Sequence, residues 1–442
     1  MLAPARAEIS IPRVSGPIAL TAKAPDPSHG YVFNSSAIDL AAKGFVEQEF
    51  FIEGTASRYT VKLNEISTVA DSGHKYKTRI VVRRPLAGAK FKGTVLVEWT
   101  NVTGSRDLEM DWFQSADHMV AAGYVWIGVS AQRVGVDALK VWSPARYGSL
   151  DVTEGGAIKD DALSYDIMAG VALLARGKGS DILGGLKAER VIATGHSQSA
   201  ARLGGYVNSI HPLNPVFDGV MLHGGGGMIR TDLGSVKVWK MLSETDVRGP
   251  AARQADTANI RTWEVAGTSH VDTQSQVHFG IIGKWNALAP NPGAAPAVPC
   301  DKPSYSQIPF RYVFNAAYDH MVRWIKDGTA PPSAPPIEFT AATPPVIARD
   351  EDGNALGGIR LAEEAVATAQ NTGQNSGPAF CRLNGSHIDF DQPRLNALYP
   401  THAVYVAKVK EVTAQNVKAG YVLKDDAYAT IAAAERSGVG KR

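Results

Sequence analysis

Apolar and polar positions along the chain switch repeatedly between a period of two and a period near 3.6. Residues 46–52 and 76–83 alternate and read as antiparallel edge strands. Residues 94–99 and 125–129 are short, β-branched apolar runs and read as core strands. Between them, residues 111–122 have helical spacing, closed by Gly123. Residues 162–175 place Leu163, Ile167, Val171 and Leu174 on one helical face. Further strands are expected at 191–196, 217–222, 236–242 and 260–266, and a helix at 315–326 stopped by Gly328. Strands alternating with helices imply an α/β fold with a mainly parallel central sheet, flanked by helices and joined by right-handed crossovers.

Three stretches fall outside this alternation. Residues 1–30 are rich in proline and are expected to be irregular. Residues 271–310, rich in Pro, Gly and Ala, read as a long lid-like loop after the last strand. Residues 331–442 open on a Pro-rich run and end in helical segments, so they read as a C-terminal extension packed on a core of residues 31–330. The tail carries no catalytic motif of its own.

The chemistry concentrates where strands end. The strand at 191–196 runs into Gly195-His196-Ser197-Gln198-Ser199 and then a helix-compatible segment. This is the layout of a nucleophile elbow, in which a sharp turn exposes a serine hydroxyl and needs small residues on either side. Gly195 meets that demand, and Ser199 stands where a second glycine is commoner. The bland alternative is a serine that merely caps a helix. Two downstream strands decide between them. One ends in Ser243-Glu244-Thr245-Asp246, the other in Gly267-Thr268-Ser269-His270. A serine, an acid and a histidine follow in that order, each in the loop after its own strand. Ser197 is then the nucleophile, His270 its base, and Asp246 the acid that orients the imidazole. Glu244 is the alternative acid; Asp246 is preferred for its offset of three residues from Ser243.

An acyl-transfer site also needs two N–H groups aimed at the developing oxyanion. Gln198, directly after the nucleophile, is expected to supply one. Asn101 is expected to supply the other, with Thr100 or Val102 if the register slips by one. Asn101 as a simple turn brace is the competing reading. The run His223-Gly224-Gly225-Gly226-Gly227 imitates an oxyanion signature, but it follows the nucleophile instead of preceding it. It is better read as a tight turn near the site, with His223 and Gly224 as pocket candidates. His196 either lines the pocket or buries itself in the elbow. Trp99, Trp112, Trp142 and Trp285 are better explained as core or lid packing than as pocket walls.

These motifs together resemble the α/β-hydrolase superfamily, and within it a bacterial group of α/β-hydrolase-domain proteins. The likeness is carried by Glu98-Trp99-Thr100-Asn101-Val102, the Gly-His-Ser-Gln-Ser elbow, Ser243-Glu244-Thr245-Asp246 and the run 263–270. It extends to Asp327-Gly328-Thr329-Ala330-Pro331-Pro332 and Phe380-Cys381-Arg382-Leu383. The superfamily implies hydrolysis, most often of carboxylic esters, and the narrower group implies little about substrate.

Composition changes this picture only at its edges. With 442 residues, 44% hydrophobic and 20% charged, the chain is long enough for a sizeable core. A net charge of +2 offers no basic field for nucleic acid. No apolar run approaches the roughly 20 residues needed to span a bilayer. Cys300 and Cys381 read as one disulfide in an exported protein, or as two unrelated buried thiols in a cytosolic one. Ala5-Arg6-Ala7 has the small-x-small form of a signal-peptidase site without the apolar stretch that should precede it. An exported chain beginning within a former signal peptide is the favoured reading, a chance likeness in a cytoplasmic protein the other. No metal or cofactor is indicated, and the oligomeric state is open. The expected function is a serine esterase acting on a small, hydrophobic ester. A lactonase, thioesterase or polyester depolymerase would use the same triad, and a non-catalytic binder on a hydrolase scaffold is the third reading.

Overall fold

In a computed structural model, residues 9–60, 65–288 and 299–441 are described. The Ala5-Arg6-Ala7 stretch and residues 289–298 of the expected lid loop lie outside them. The chain divides into two compact units, Met1–Trp239 with His278–Asn291, and Lys240–Val277 with Pro292–Arg442.

The first unit begins with β1 (Arg13–Ser15), β2 (Phe45–Thr60) and β3 (Thr68–Pro85), which pair antiparallel. After β4 (Thr94–Trp99) come α1 (Met110–Ala122), β5 (Val125–Val129), α2 (Arg133–Trp142), α3 (Pro144–Tyr147) and α4 (Ser164–Ala175). They are followed by β6 (Arg190–His196), α5 (Gln198–Ser209) and β7 (Gly219–His223). The strand order is β1-β2-β3-β5-β4-β6-β7, and from β5 to β7 every pairing is parallel. Strands β4 to β7 are buried along their whole length, as expected for a parallel sheet covered on both faces. The apolar runs that predicted them are that burial.

Departures from expectation lie where hydrophobic pattern is silent. Strands β2 and β3 run for 16 and 18 residues, well beyond 46–52 and 76–83. The outer half of β3 is largely polar and exposed, while that of β2 is half-buried and tied to α4 by hydrogen bonds from Ser57 N–H and the Tyr59 hydroxyl to Asp166. Within the segment 1–30, Arg13–Ser15 adds the edge strand β1 to β2. Behind the antiparallel strands, the buried Arg83 guanidinium sits 4.5 Å from the Trp112 ring and 4.4 Å from the Trp126 ring. It also binds Glu47, Glu109 and the Asn34 carbonyl, which ties β3 to α1 and β5. Trp99 and Trp112 are thus core residues.

Strand β8 (Lys237–Ser243) carries the chain from the first unit into the second, where β9 (Ile260–Val265) lies beside it. Next come α6 (Thr273–Trp285) and α7 (Phe310–Asp327). The expected loop 271–310 therefore starts as a helix. Asp272 accepts hydrogen bonds from the Ser275 N–H and hydroxyl, both at 2.9 Å, a cap that the Pro/Gly-rich composition of the segment obscures. Helix α7 ends at Gly328 in the left-handed region, as expected.

The C-terminal extension contains two small sheets as well as helices. Strands β10 (Phe339–Ala342) and β11 (Pro345–Ile347) form one. After α8 (Ala362–Ala365), β12 (Ala369–Thr372) pairs with β13 (Ser386–Asp389) across α9 (Cys381–Asn384). The chain closes with α10 (Gln392–Leu398), α11 (His402–Ala419) and α12 (Lys424–Arg436). The extension packs on β9: Ala266 N–H reaches the Ile359 carbonyl at 3.0 Å, and Ile337 N–H reaches the Glu264 carboxylate at 2.8 Å. Among the described residues no helix is long and apolar enough to cross a membrane.

Adjacent glycines on α5 make a paired test of packing. A Cβ on Gly204 would lie 2.2 Å from the Gly226 carbonyl oxygen, whereas one on Gly205 would meet nothing within 4 Å. Gly204→Ala should destabilise the protein by roughly 1–3 kcal/mol. Gly205→Ala should stabilise it by about 0.5–1 kcal/mol through helix propensity. Chemical denaturation of the two variants checks both signs.

Candidate active site

Strand β6 ends at His196, and α5 starts at Gln198. Ser197 alone makes the turn, with φ 58° and ψ −113°. A non-glycine residue in this region costs of order 1–3 kcal/mol and persists only where its surroundings enforce it. The enforcement is visible. Ser197 N–H donates to the His223 carbonyl at 2.8 Å, and Asn101 Nδ2 donates to the His196 carbonyl at 2.9 Å. A Cβ on Gly195 would press on Leu203 and Ser199 at 3.1 Å. Ser199 replaces the commoner glycine because it is small and its hydroxyl reaches the Thr100 carbonyl at 3.1 Å.

Gln198 is the first residue of α5, where a backbone N–H has no intrahelical acceptor. Asn101 behaves differently from expectation. Its N–H is spent on the Leu108 carbonyl at 2.9 Å, and its side-chain oxygen accepts from Thr103 N–H at 2.8 Å. Asn101 is therefore a brace for the elbow, since a donor already in use cannot meet an oxyanion. The neighbouring Val102 N–H has no acceptor among the described residues.

His196 and His223 are core residues instead of pocket walls, only 3% and 1% exposed. Their rings lie 4.2 Å apart. His223 Nδ1 is 2.8 Å from Asp111, whose other oxygen accepts from the Thr194 hydroxyl at 2.5 Å. Glu98 accepts from the Asp111 and Trp112 N–H groups, both at 3.0 Å, and from Trp126 Nε1 at 2.8 Å. Burial, and then the Asp111 charge beside it, push the Glu98 carboxyl well above the usual carboxylate range. The sequence held the signal for this network, in acidic residues at the end of β4 and the start of α1, but nothing in the pattern paired them with His223. Gly224 begins the turn after β7 with φ 67°, and a Cβ on Gly225 would stand 3.3 Å from the Ser197 carbonyl, so this run packs against the elbow.

In the second unit, β8 ends in a single tight turn, Glu244–Asp246. One Asp246 oxygen accepts from the Ser243 N–H at 3.0 Å and hydroxyl at 2.6 Å. The other lies 2.5 Å from His270 Nδ1. The offset of three residues is the geometry of this turn, which leaves one oxygen for the turn and one for the imidazole. Burial alone would raise the Asp246 carboxyl, but the His270 charge and the hydrogen bonds from His270 and Ser243 outweigh it and hold it below its ordinary value.

Glu244 does not face His270. It accepts from Gly267 N–H at 2.9 Å and from Arg349 at 2.6 Å. It thus clamps the acid loop to the start of the histidine loop. Thr245, overlooked in the sequence, does the same from the other side. Its hydroxyl accepts from His270 N–H at 3.2 Å and donates to the Gly373 carbonyl at 2.6 Å. Cys300 and Cys381 form a disulfide. Among the described residues no group of three or more His, Cys, Asp or Glu is arranged to hold a metal ion.

A family model for the alpha/beta hydrolase domain matches residues 14–432, and the chain belongs to that family. Solved structures similar to it include acetyl xylan esterase 1 from a Thermoanaerobacterium species, at 12% identity over 52% of this chain and 77% of that one, with TM-score 0.28. A glucuronoyl esterase from Solibacter usitatus matches at 12% identity over 58% and 71%, with TM-score 0.27. Another, from Teredinibacter turnerae, matches at 13% over 41% and 42%, with TM-score 0.25. No curated protein matches significantly.

The Asp246 pairing carries a pH signature. A carboxyl whose native pKa is depressed adds stability that is present above its unfolded value and lost as pH falls through the native one. The difference in unfolding free energy between wild type and Asp246→Asn should be largest near neutral pH. It should shrink as pH drops below about 4, the ordinary aspartate value. Denaturation midpoints across that range check it.

Proposed function

We propose that this protein is a serine hydrolase of carboxylic esters. Ser197 is the nucleophile, His270 the general base and acid, and Asp246 the residue that orients His270. The observation that carries this reading is the Ser197 backbone, held at positive φ between a buried strand and a helix N-terminus. Membership of the alpha/beta hydrolase family and the short Asp246–His270 hydrogen bond support it.

With Nδ1 committed to Asp246, the imidazole takes up the serine proton at Nε2. The Ser197 oxygen attacks the ester carbonyl carbon, and the carbonyl π electrons move onto oxygen. The N–H groups of Gln198 and Val102 are the proposed donors to that oxyanion. Collapse breaks the carbon–oxygen bond to the alcohol, which leaves with the proton from His270. Water, deprotonated by His270, then attacks the acyl-Ser197 carbonyl; the carbon–oxygen bond to Ser197 breaks, His270 returns the proton to the serine oxygen, and a carboxylic acid is released. The substrate is a small, hydrophobic ester. The disulfide suits an oxidising compartment, in keeping with export.

Hydrolysis of p-nitrophenyl acetate and butyrate tests the roles. Ser197→Ala and His270→Ala should each lower kcat by about 10⁴-fold or more. Asp246→Asn should lose about 10³- to 10⁴-fold. Glu244→Gln should lose no more than about tenfold, because its carboxylate braces loops instead of pairing with the imidazole. A Glu244→Gln loss as deep as that of Asp246→Asn would reverse the acid assignment. An ester, lactone and thioester panel then separates an esterase from its relatives.

A further inference from the structure

The second unit holds a cavity of about 480 Å³ with no part in the proposed chemistry. That is within the range of small-molecule sites. One wall is apolar, built from Val247, Phe339, Pro345 and Ile347. Elsewhere it presents two cations, Lys302 and Arg382. Neither side chain has an ion pair or hydrogen bond among the described residues. Both are tethered to the same covalent link: Lys302 stands two residues after Cys300, Arg382 one after Cys381, and the two cysteines are bonded. Asn375 fixes the Lys302 backbone from both sides, accepting from its N–H at 3.2 Å and donating to its carbonyl at 3.1 Å.

Neither nearby carboxylate pairs with Lys302 or Arg382. Glu244, on the cavity wall, is held by Arg349 and Gly267 N–H. Asp301, beside Lys302, accepts from the Ser376 hydroxyl at 2.5 Å. Two like charges sharing one cavity repel, and an anion between them relieves the repulsion and gains charge-assisted hydrogen bonds. An inorganic anion would leave the apolar wall wet. An anion with an apolar body satisfies both sides.

We propose that this cavity is a binding site for a small organic carboxylate with an apolar or aromatic body. Lys302 and Arg382 take the carboxylate, and the Phe339 side takes the body. The site is separate from the proposed acyl chemistry and does not rest on it. Thr245 joins the two regions, since it lines the cavity and its hydroxyl accepts the His270 N–H.

The test is calorimetric titration of benzoate into the full chain, with benzamide as the uncharged counterpart and acetate as the anion without a body. The protein is treated beforehand with a fluorophosphonate to block a serine site. If Ser197 takes no phosphonate, the hydrolase reading fails while the titration still reports on the cavity. Benzoate should bind with one-to-one stoichiometry, and benzamide and acetate each at least about tenfold more weakly. Lys302→Gln and Arg382→Gln should each weaken benzoate about tenfold, and the double variant should abolish measurable binding. Both residues are exposed, so the variants should keep the wild-type circular dichroism. The proposal is overturned if folded wild type fails to bind benzoate at millimolar concentration, if benzamide binds as well, or if the double variant binds benzoate like wild type.

Discussion

The sharp turn at Ser197 is the constraint on which the rest of the candidate site depends. A residue with a side chain is held at positive φ where β6 becomes α5, and it stays there because four neighbours leave it no alternative. Asn101 grips the carbonyl before it, and the end of β7 grips its N–H. Gly195 and Ser199 give the strand and helix room to approach. The turn leaves Ser197 half-buried and the first N–H groups of α5 without intrahelical acceptors. The proposed nucleophile and one proposed oxyanion donor thus follow from one strained residue. The buried Glu98–Asp111–His223 network extends the same brace into the core, linking β4, α1 and β7 around the elbow.

A different device positions the proposed acid and base. Asp246 divides its two oxygens between its own turn and the imidazole, while Glu244 and Thr245, on either side of it in sequence, fasten the acid loop to the histidine loop. Arg349 and Gly373, which complete these clamps, come from the C-terminal extension. The extension is therefore a structural part of the proposed acid–base pair. Its strand-like contacts to the end of β9 hold the segment from which the His270 loop departs.

Much of this was legible in the sequence, for identifiable reasons. The buried parallel strands announced themselves as apolar runs, and the order serine, acid, histidine followed from where those runs end. The three-residue offset from Ser243 to Asp246 is a real turn, and it is Asp246 that lies against His270 Nδ1. What stayed hidden lacked a one-dimensional signal. The outer halves of β2 and β3 carry no regular apolar alternation and are fixed by pairing and by bonds to distant residues, Ser57 and Tyr59 to Asp166 and His74 to Glu154. Helix α6 begins at an Asp272 cap inside a segment whose composition reads as loop. Which N–H group after β4 is already bonded is set by the loop's fold and has no signal in the sequence; Asn101 N–H is bonded to the Leu108 carbonyl. The burial of His223 depends on a partner, Asp111, 112 residues earlier.

Peptide mapping by mass spectrometry after treatment with a fluorophosphonate tests the central claim most directly. A single adduct on the peptide carrying Ser197, absent when the protein is first heat-unfolded, is the result this account predicts. A folded protein that stays unmodified, or one labelled on another serine with Ser197 untouched, would contradict it.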